Sequence, residues 1–287
     1  MFFSDITSPF RGNVTLFTKT KLLYSEEDIF ILLKRGHFYF AVTQMRQVYF
    51  SNNPQHAKIE HEKKEDGMDA IECITTRRSI RKFKPEAVPQ ELLKKVITAA
   101  QKSPSYKNSQ PWEAVIVSGK KKDDLTQILA GLLESDAKPE PDIPEPPVWP
   151  AAIAQRIDDT FKTKGGKMGI DLNDPVIKKK AKLANFRFYG APHGIFVFQD
   201  RSLAEWSMFD AGLFCQNIML AAWASGLGTV PQAFLIDYSP AIRNFLGIPA
   251  TKKLVLGLSI GYPELDHPAN SFITGRENTD AILRFVE

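Results

Sequence analysis

The sequence from residue 68 onward predicts a domain that contains both helices and β-strands. Apolar residues recur at helical spacing in some segments, whereas others are short and continuously apolar. The helical segments are residues 68–75, 89–100, 209–225 and 239–246, and the strand segments are 113–117, 195–198, 254–261 and 281–286. Proline or glycine lies at several of the boundaries, and no internal repeat is visible.

The composition is that of an ordinary globular chain. The 287 residues are 43% hydrophobic and 24% charged, and the net charge of +4 is too small to imply a nucleic-acid partner without a basic motif. No apolar run is long enough to predict a membrane span. Cys73 and Cys215 stand alone without metal-ligand spacing, which favours reduced thiols in a cytoplasmic protein.

Residues 1–67 form an aromatic-rich N-terminal extension without orderly patterning. A basic start, a continuous apolar stretch and a small-residue cleavage site do not occur together, so a signal peptide is not expected. Three interpretations stay open: an extra subdomain, a partner-binding or disordered arm, and an over-extended reading frame. Codons available for Lys64-Glu65-Asp66 can spell a purine-rich ribosome-binding sequence before Met68, which favours the last interpretation. Residues 68–287 then form the main domain.

The first helices are predicted from their apolar faces. Met68, Ile71 and Ile74 give the first a helical spacing, and Pro89 suits the opening turn of the second. The segment 209–225 is apolar nearly all round, so it must be covered on every side by the core or by another subunit. Gly226 provides its C-terminal cap.

The strands and one short helix are also predicted from apolar runs and capping residues. The runs 113–117, 195–198 and 254–261 are read as strands, and 281–286 as an edge strand. Ser239 opens and Gly247 ends a short helix between them. His193, at a strand start, has no Cys or acidic neighbour in the sequence and is expected to be structural.

The stretch Thr75–Phe83 is the most distinctive basic segment. Three arginines, Arg77, Arg78 and Arg81, surround the hydroxyl of Ser79. A guanidinium group matches the geometry of a phosphate, and the hydroxyl adds a donor. The segment could therefore hold a phosphate monoester, although a solvated basic turn is the favoured interpretation when the segment is taken alone.

Two loops are candidates for contact with a ligand. Residues 103–112 place hydroxyl and amide side chains between two prolines at a strand entrance. Residues 134–182 form an insertion whose first part is rich in proline and whose second part contains Gly165-Gly166-Lys167. Prolines at this density stiffen a segment without giving it helix or sheet, so a surface excursion or a lid is expected. The glycine pair lacks P-loop spacing.

In this order, the motifs resemble the FMN-dependent nitroreductase family from Met68 to the end of the sequence. The resemblance is carried by residues 77–83, 104–112, 226–233 and 257–263 and by Arg276. Each motif is weak alone, and the ordered set is specific. The proline-rich insertion and Ala191-Pro192-His193-Gly194 are similar to the branch that includes nitrobenzoate reductases.

The resemblance implies an α+β fold in which a mixed sheet is flanked by helices and two chains form an intertwined homodimer. FMN would lie at the subunit interface, so that one chain holds half a site. C-terminal segments would wrap the neighbouring subunit, which suits the apolar helix 209–225 and the strand 281–286.

The resemblance also implies a phosphate-binding group. Arg77, Ser79 and Arg81 would contact the FMN phosphate and ribityl chain, and Arg276 would close on the phosphate. Arg78 would contribute mainly its backbone near the flavin pyrimidine.

Two further loops would contact the flavin ring. Pro104, Ser105 and Tyr106 would reach the flavin of the partner subunit, and Asn108 would fix their loop, with direct FMN contact left open. The stretch Pro231, Gln232, Ala233 would lie beside flavin N5, where a backbone N–H can point at that atom. Family members often carry an acidic residue there, and this sequence does not.

The implied activity is the reduction of small nitroaromatic compounds with NADH or NADPH through flavin N5. Ping-pong kinetics, no catalytic side chain and no metal are expected, because the cofactor carries the chemistry. No GxGxxG motif is present, so the nicotinamide would be a transient visitor over the flavin. Alternatives are a quinone or flavin reductase, a reductive dehalogenase, a non-catalytic flavin-binding protein and a phosphate-binding module without flavin.

Overall fold

The structure, a computed structural model, describes residues 68–287 and, within residues 1–67, only the backbone of four short strands. These strands are β1 (Leu16–Phe17), β2 (Thr20–Leu23), β3 (Ile31–Lys34) and β4 (His37–Phe40), each antiparallel to the next. Met1–Asp66 and Gly67–Glu287 form two compact units. The three interpretations of residues 1–67 otherwise concern positions outside the described residues and stay predictions.

The larger unit is built on a second sheet. Its strands are β5 (Glu113–Ser118), β6 (His193–Asp200), β7 (Gly228–Gln232) and β8 (Lys252–Gly261). They lie in the order β5-β6-β8-β7 with antiparallel neighbours, and a parallel bridge joins Ser79 to Thr229 beside β7. Strand β6 is buried from His193 to Gln199, as its continuous apolar run predicts.

Helices cover both faces of this sheet. They are α1 (Ala70–Thr76), α2 (Gln90–Ala100), α3 (Gly119–Glu134), α4 (Ala151–Met168), α5 (Pro175–Phe186), α6 (Glu205–Ala224) and α7 (Ser239–Leu246). Alternate residues of β6 enter two separate cores: Phe196 packs with α3 and α5, and Ile195 with α2 and α6. The predicted α+β class is confirmed. None of these described helices is long and apolar enough to cross a membrane.

Helix α6 is the central helix of the unit. Its C-terminal end agrees with the prediction, since Gly226 adopts a φ of +75° and the Leu227 amide donates to the Ala222 carbonyl at 2.9 Å. Its first turns are not covered within one chain, because Trp206 and Phe209 are 66% and 61% exposed, so for them only the subunit-interface alternative of the prediction stays open.

The prediction that the 134–182 insertion lacks helix is wrong for the part after Pro150, which is mostly helical. The last proline of the rich stretch, Pro150, directly precedes α4. Helix α5 begins with a strong cap, since the Asp174 carboxylate accepts from the amides of Val176 and Ile177 at 2.7 and 3.1 Å, with Pro175 in the first turn. The stiffening argument therefore applies only to the acidic first part.

The predicted edge strand at 281–286 is also wrong for a single chain. Thr279–Ala281 forms a 3₁₀ turn, and the apolar side chains that follow are exposed. A strand needs a neighbouring strand for its backbone hydrogen bonds, and residues 68–287 of the same chain do not offer one here.

Candidate functional site

The basic segment after α1 lies along strand β7. The Ile80 amide donates to the Thr229 carbonyl at 2.9 Å, and Ser79 forms the parallel bridge to the same residue. Gly228 permits this approach, since a Cβ at that position would lie 2.7 Å from Cγ1 of Ile80. Backbone pairing thus holds Arg77, Ser79 and Arg81 in a fixed segment at the edge of the sheet.

Asn270 fixes the same segment from the C-terminal side, and sequence reasoning missed it. Its Oδ1 accepts from the Arg81 amide at 2.6 Å, and its Nδ2 donates to the carbonyls of Lys82 and Glu264 at 2.9 and 2.8 Å. The side chain is almost fully buried. A lone Asn gives no sequence signal for this role, because its partners Arg81 and Lys82 lie 189 and 188 residues away in the chain.

Arg77 and Arg276 form a cationic pair without a counter-charge among residues 68–287. Burial lowers the pKa of Arg77, and the nearby Arg276 guanidinium lowers it further. The Nη1 atom of Arg77 is buried and has no hydrogen-bond partner in the part of the chain that the structure describes. Nη1 of Arg276 donates to oxygens of Thr274 and Gly275. Within the described residues no carboxylate lies within ion-pair distance of Arg77, Arg81 or Arg276, so an anion such as a phosphate would satisfy the group.

The insertion adds a fourth cation, Lys164 on α4, which sequence reasoning also missed. Burial lowers the pKa of Lys164, and the Arg81 guanidinium lowers it further. Helix α4 also contacts the segment that carries Arg276, because Arg156 Nε lies 3.8 Å from Glu277 Oε1. The Gly165-Gly166 pair that follows Lys164 lacks P-loop spacing, so nothing in the sequence points to Lys164 as a neighbour of Arg81. The tertiary structure shows this proximity.

The loop that contains Pro104, Ser105, Tyr106 and Asn108 is tied to the start of α6. The Tyr106 amide donates to both carboxylate oxygens of Asp210 at 3.1 and 3.2 Å. Asn108 takes a left-handed φ of +55°, and the Ser105 hydroxyl accepts from the Gln110 amide at 3.0 Å. These contacts explain a rigid loop, and they leave the Tyr106 ring half exposed.

A single chain does not bring this loop to the basic segment. The loop is held at Asp210, whereas α1 contacts the other end of α6: Cys73 Sγ lies 3.3 Å from the Leu220 carbonyl, and Trp223 Nε1 donates to Thr76 Oγ1 at 3.0 Å. At least ten residues of α6 separate Asp210 from Leu220 and Trp223, which corresponds to about 15 Å at a rise of 1.5 Å per residue. The two sets of predicted FMN residues therefore lie towards opposite ends of one helix.

The stretch Pro231, Gln232, Ala233 lies where β7 ends. Pro231 and Ala233 are exposed, whereas Gln232 is only 2% exposed. Its Nε2 donates to the Asn185 carbonyl at 2.9 Å, and its Oε1 accepts from the Ser259 hydroxyl at 2.5 Å. The amide side chain of Gln232 is thus bonded within the interior, and the stretch offers a ligand its backbone and its small side chains.

His193 has the structural role that the sequence predicts. Its Nε2 accepts from the Val88 amide at 2.9 Å, and its Nδ1 lies 2.5 Å from Ser118 Oγ. Burial lowers the pKa of His193, as does the charge of Lys122. Within residues 68–287 no group of His, Cys, Asp and Glu side chains is placed to hold a metal ion.

Comparison with known proteins agrees with this architecture. The sequence model of the nitroreductase family matches residues 74–262. A 4-nitrobenzoate reductase of Pseudomonas putida is 30% identical over 77% of this chain and 96% of its own length. A nitrobenzene nitroreductase of Ectopseudomonas oleovorans is 32% identical over 75% of this chain and 96% of its own.

A solved structure is also similar to this chain. The FMN-dependent nitroreductase NfnB from Mycobacterium smegmatis, in complex with NADPH, superposes with a TM-score of 0.72 and 29% identity, covering 76% of this chain and 98% of that one. The fold defines an α+β protein with a basic segment at the edge of its sheet. The chain belongs to the nitroreductase family, which confirms the resemblance of its motifs.

Proposed function

We propose that this chain is an FMN-dependent oxidoreductase that reduces nitroaromatic compounds with NADH or NADPH. The observation that carries the proposal is the Arg77–Arg276 pair, in which Arg77 is half-buried with its Nη1 atom buried and Arg276 is exposed, without a counter-charge in the described residues and within a nitroreductase fold. Relatives named as nitrobenzoate and nitrobenzene reductases support the reaction class. A neighbouring structure named for FMN and NADPH supports the cofactor and donor.

The residues present fit FMN. A phosphate beside Arg77 would give the unpaired Nη1 atom an acceptor and neutralise the repulsion from Arg276. Ser79 and Arg81 would hold the ribityl chain and the phosphate, and Arg78 would act through its backbone. When bound, FMN supplies hydride transfer at its N5 atom, a reaction that no side chain provides.

The stretch Pro231, Gln232, Ala233 would border the reactive edge of the ring. Because it carries no ionisable side chain and Gln232 is bonded inward, its contribution is a backbone donor and a close, small-residue surface. The chain therefore binds, orients and shields the reacting groups without a protein nucleophile.

We propose that the active form is a homodimer with FMN at the interface. The loop of Pro104, Ser105, Tyr106 and Asn108 is about 15 Å along α6 from the basic segment of its own chain, so it would serve the partner's FMN. Exposed apolar side chains are available to such an interface, since the buried core of a homodimer interface is apolar. They are Ile71, Ile74, Trp206, Phe209, Phe285 and Val286.

We also propose that residues 68–287 form the catalytic domain and that the 134–182 insertion covers its site. Relatives match about three-quarters of this chain with nearly their whole length. The insertion reaches the candidate site through Lys164 beside Arg81, and helix α5, which begins in the insertion, ends just beyond it with Asn185 bonded to Gln232. The free thiols of Cys73 and Cys215 support a cytoplasmic location.

The test is an absorbance spectrum of the purified chain, followed by anaerobic addition of NADH or NADPH and then of 4-nitrobenzoate. We expect a flavin spectrum that bleaches with a nicotinamide and returns with the nitro compound. A flavin that neither nicotinamide bleaches would contradict the enzyme assignment, and colourless protein that FMN cannot reconstitute would contradict the cofactor. Elution volume on a sizing column tests the dimer separately.

A further inference from the structure

A basic cavity of about 420 Å³ lies between the segment after α1 and the end of α5. Four cationic side chains line it together with an aromatic ring and small or apolar residues. The lining consists of Arg81, Lys82, Lys180, Leu183, Ala184, Arg187, Tyr189 and Gly190. No acidic residue belongs to this lining, so the cavity combines shape with one sign of charge.

The cations of the cavity are not neutralised by the described residues. None of Arg81, Lys82, Lys180 and Arg187 has a carboxylate within ion-pair distance there. By contrast, Lys182 on the same helix bonds Asp237 at 3.0 Å, and Lys179 reaches Asp136 at 3.5 Å. The two lysines and two arginines of the cavity lining therefore point to an anionic ligand.

The cavity adjoins the predicted flavin contacts on two sides. Arg81 belongs to both the cavity and the predicted phosphate site. Ala184 lines the cavity, and the next residue, Asn185, accepts the hydrogen bond from Gln232 at 2.9 Å. A ligand in the cavity would thus lie next to the stretch that borders the flavin.

The loop that completes the cavity has an unusual backbone. Phe188 and Tyr189 both take a φ of +53°, a region that residues other than glycine seldom occupy, and Gly190 follows at +79°. Phe188 is buried against Gly194, where a Cβ would lie 2.2 Å from its ring. This packing holds the loop in a conformation that places Tyr189 on the cavity, and such strain is often retained at ligand sites.

We propose that this cavity binds a phosphate group of the nicotinamide donor, an inference that rests on the proposed function. FMN has a single phosphate, for which the Arg77–Arg276 pair is already placed. NADH carries a diphosphate, and NADPH carries a further phosphate on its adenosine ribose. Without a glycine-rich dinucleotide loop, these charges need another cationic site near the flavin. The shared chemistry is a phosphate, and the experiment separates its two sources.

The experiment measures nucleotide binding to the FMN-loaded chain by titration calorimetry. Adenosine 2′,5′-bisphosphate reports the ribose phosphate of NADPH, and ADP reports the diphosphate. The variants are Lys180→Ala and Arg187→Ala, whose side chains are exposed, so that folding should be unaffected. Lys178→Ala is the matched control, since Lys178 lies on the same helix as Lys180, is also exposed and does not line the cavity.

We expect each cavity variant to raise the Kd of at least one nucleotide about tenfold, with FMN affinity and the control unchanged. A loss confined to adenosine 2′,5′-bisphosphate assigns the cavity to the NADPH phosphate, and a loss for both nucleotides assigns it to the diphosphate. Native-like nucleotide binding by both variants overturns the inference, and so does weaker FMN binding without a change for the nucleotides. Absence of flavin bleaching by either nicotinamide would instead contradict the proposed function.

Discussion

Replacement of Arg77 by methionine should separate the two effects of its guanidinium group. Among the described residues, Nη1 of Arg77 is buried without a hydrogen-bond partner, and the Arg276 charge lies near Arg77. An unpaired buried donor costs about 1–3 kcal/mol, and methionine fills similar space without charge. The FMN-free Arg77→Met variant should therefore unfold at the same temperature as the native chain or at a higher one.

The affinity of the Arg77→Met variant for FMN should fall, in contrast to its stability. A hydrogen bond to a charged group contributes about 1.5–3 kcal/mol, which corresponds to an increase in Kd of about 10- to 150-fold. Quenching of FMN fluorescence on titration into FMN-free protein measures this Kd, and a thermal melt of the same preparation measures stability. Loss of affinity without loss of stability would identify Arg77 as a ligand-binding residue.

Arg78→Met is the matched control, because the neighbouring arginine is proposed to act through its backbone. Its FMN affinity should stay within about threefold of native, less than the loss of one charged hydrogen bond. The reasoning is refuted if Arg77→Met binds FMN as the native chain does. It is also refuted if the FMN-free Arg77→Met variant melts well below both the native chain and the control.

Four further predictions follow from single contacts. Asn270→Ala removes three hydrogen bonds, so urea unfolding should show a loss of about 2–4 kcal/mol. Gly228→Ala places a Cβ 2.7 Å from Ile80 and should cost about 1–3 kcal/mol in the same assay. Lys164→Met removes a cation beside the phosphate site and should raise the FMN Kd about three- to fivefold. Because burial lowers the pKa of His193 below its ordinary 6.5, the unfolded chain binds more protons as pH falls below that value, so melting temperature should decline there.

Each of these has a control within the same chain. Asn278→Ala loses one exposed local bond, Gly131→Ala meets no atom within 4 Å, and Lys162→Met lies exposed on α4. An effect of equal size in a control would contradict the matching prediction. His193→Gln should flatten the decline of melting temperature with falling pH, and an unchanged profile would assign that decline to other groups.

Local chemistry was sufficient to predict most elements and the basic segment. The apolar run at 195–198 has one stable placement, a buried strand, and Gly226 and Gly247 end helices because they accept a left-handed backbone. Helices α4 and α5 are not predicted because the proline argument, valid up to Pro150, extends too far along the chain, and helix α3 and strand β7 are not predicted either. The strand at 281–286 was predicted from its apolar residues alone, although a strand also requires a neighbour.

The sequence by itself determined the α+β class, the family and the order of the motifs, since these depend on residue type and spacing along the chain. Only the tertiary structure decided which of those residues meet. It placed Asn270 on the Arg81 backbone, Lys164 beside the Arg81 charge and the loop at Tyr106 far along α6 from Arg77. The physical reason is that hydrogen bonds, burial and charge act through space, between residues whose separation in the sequence carries no information about their distance.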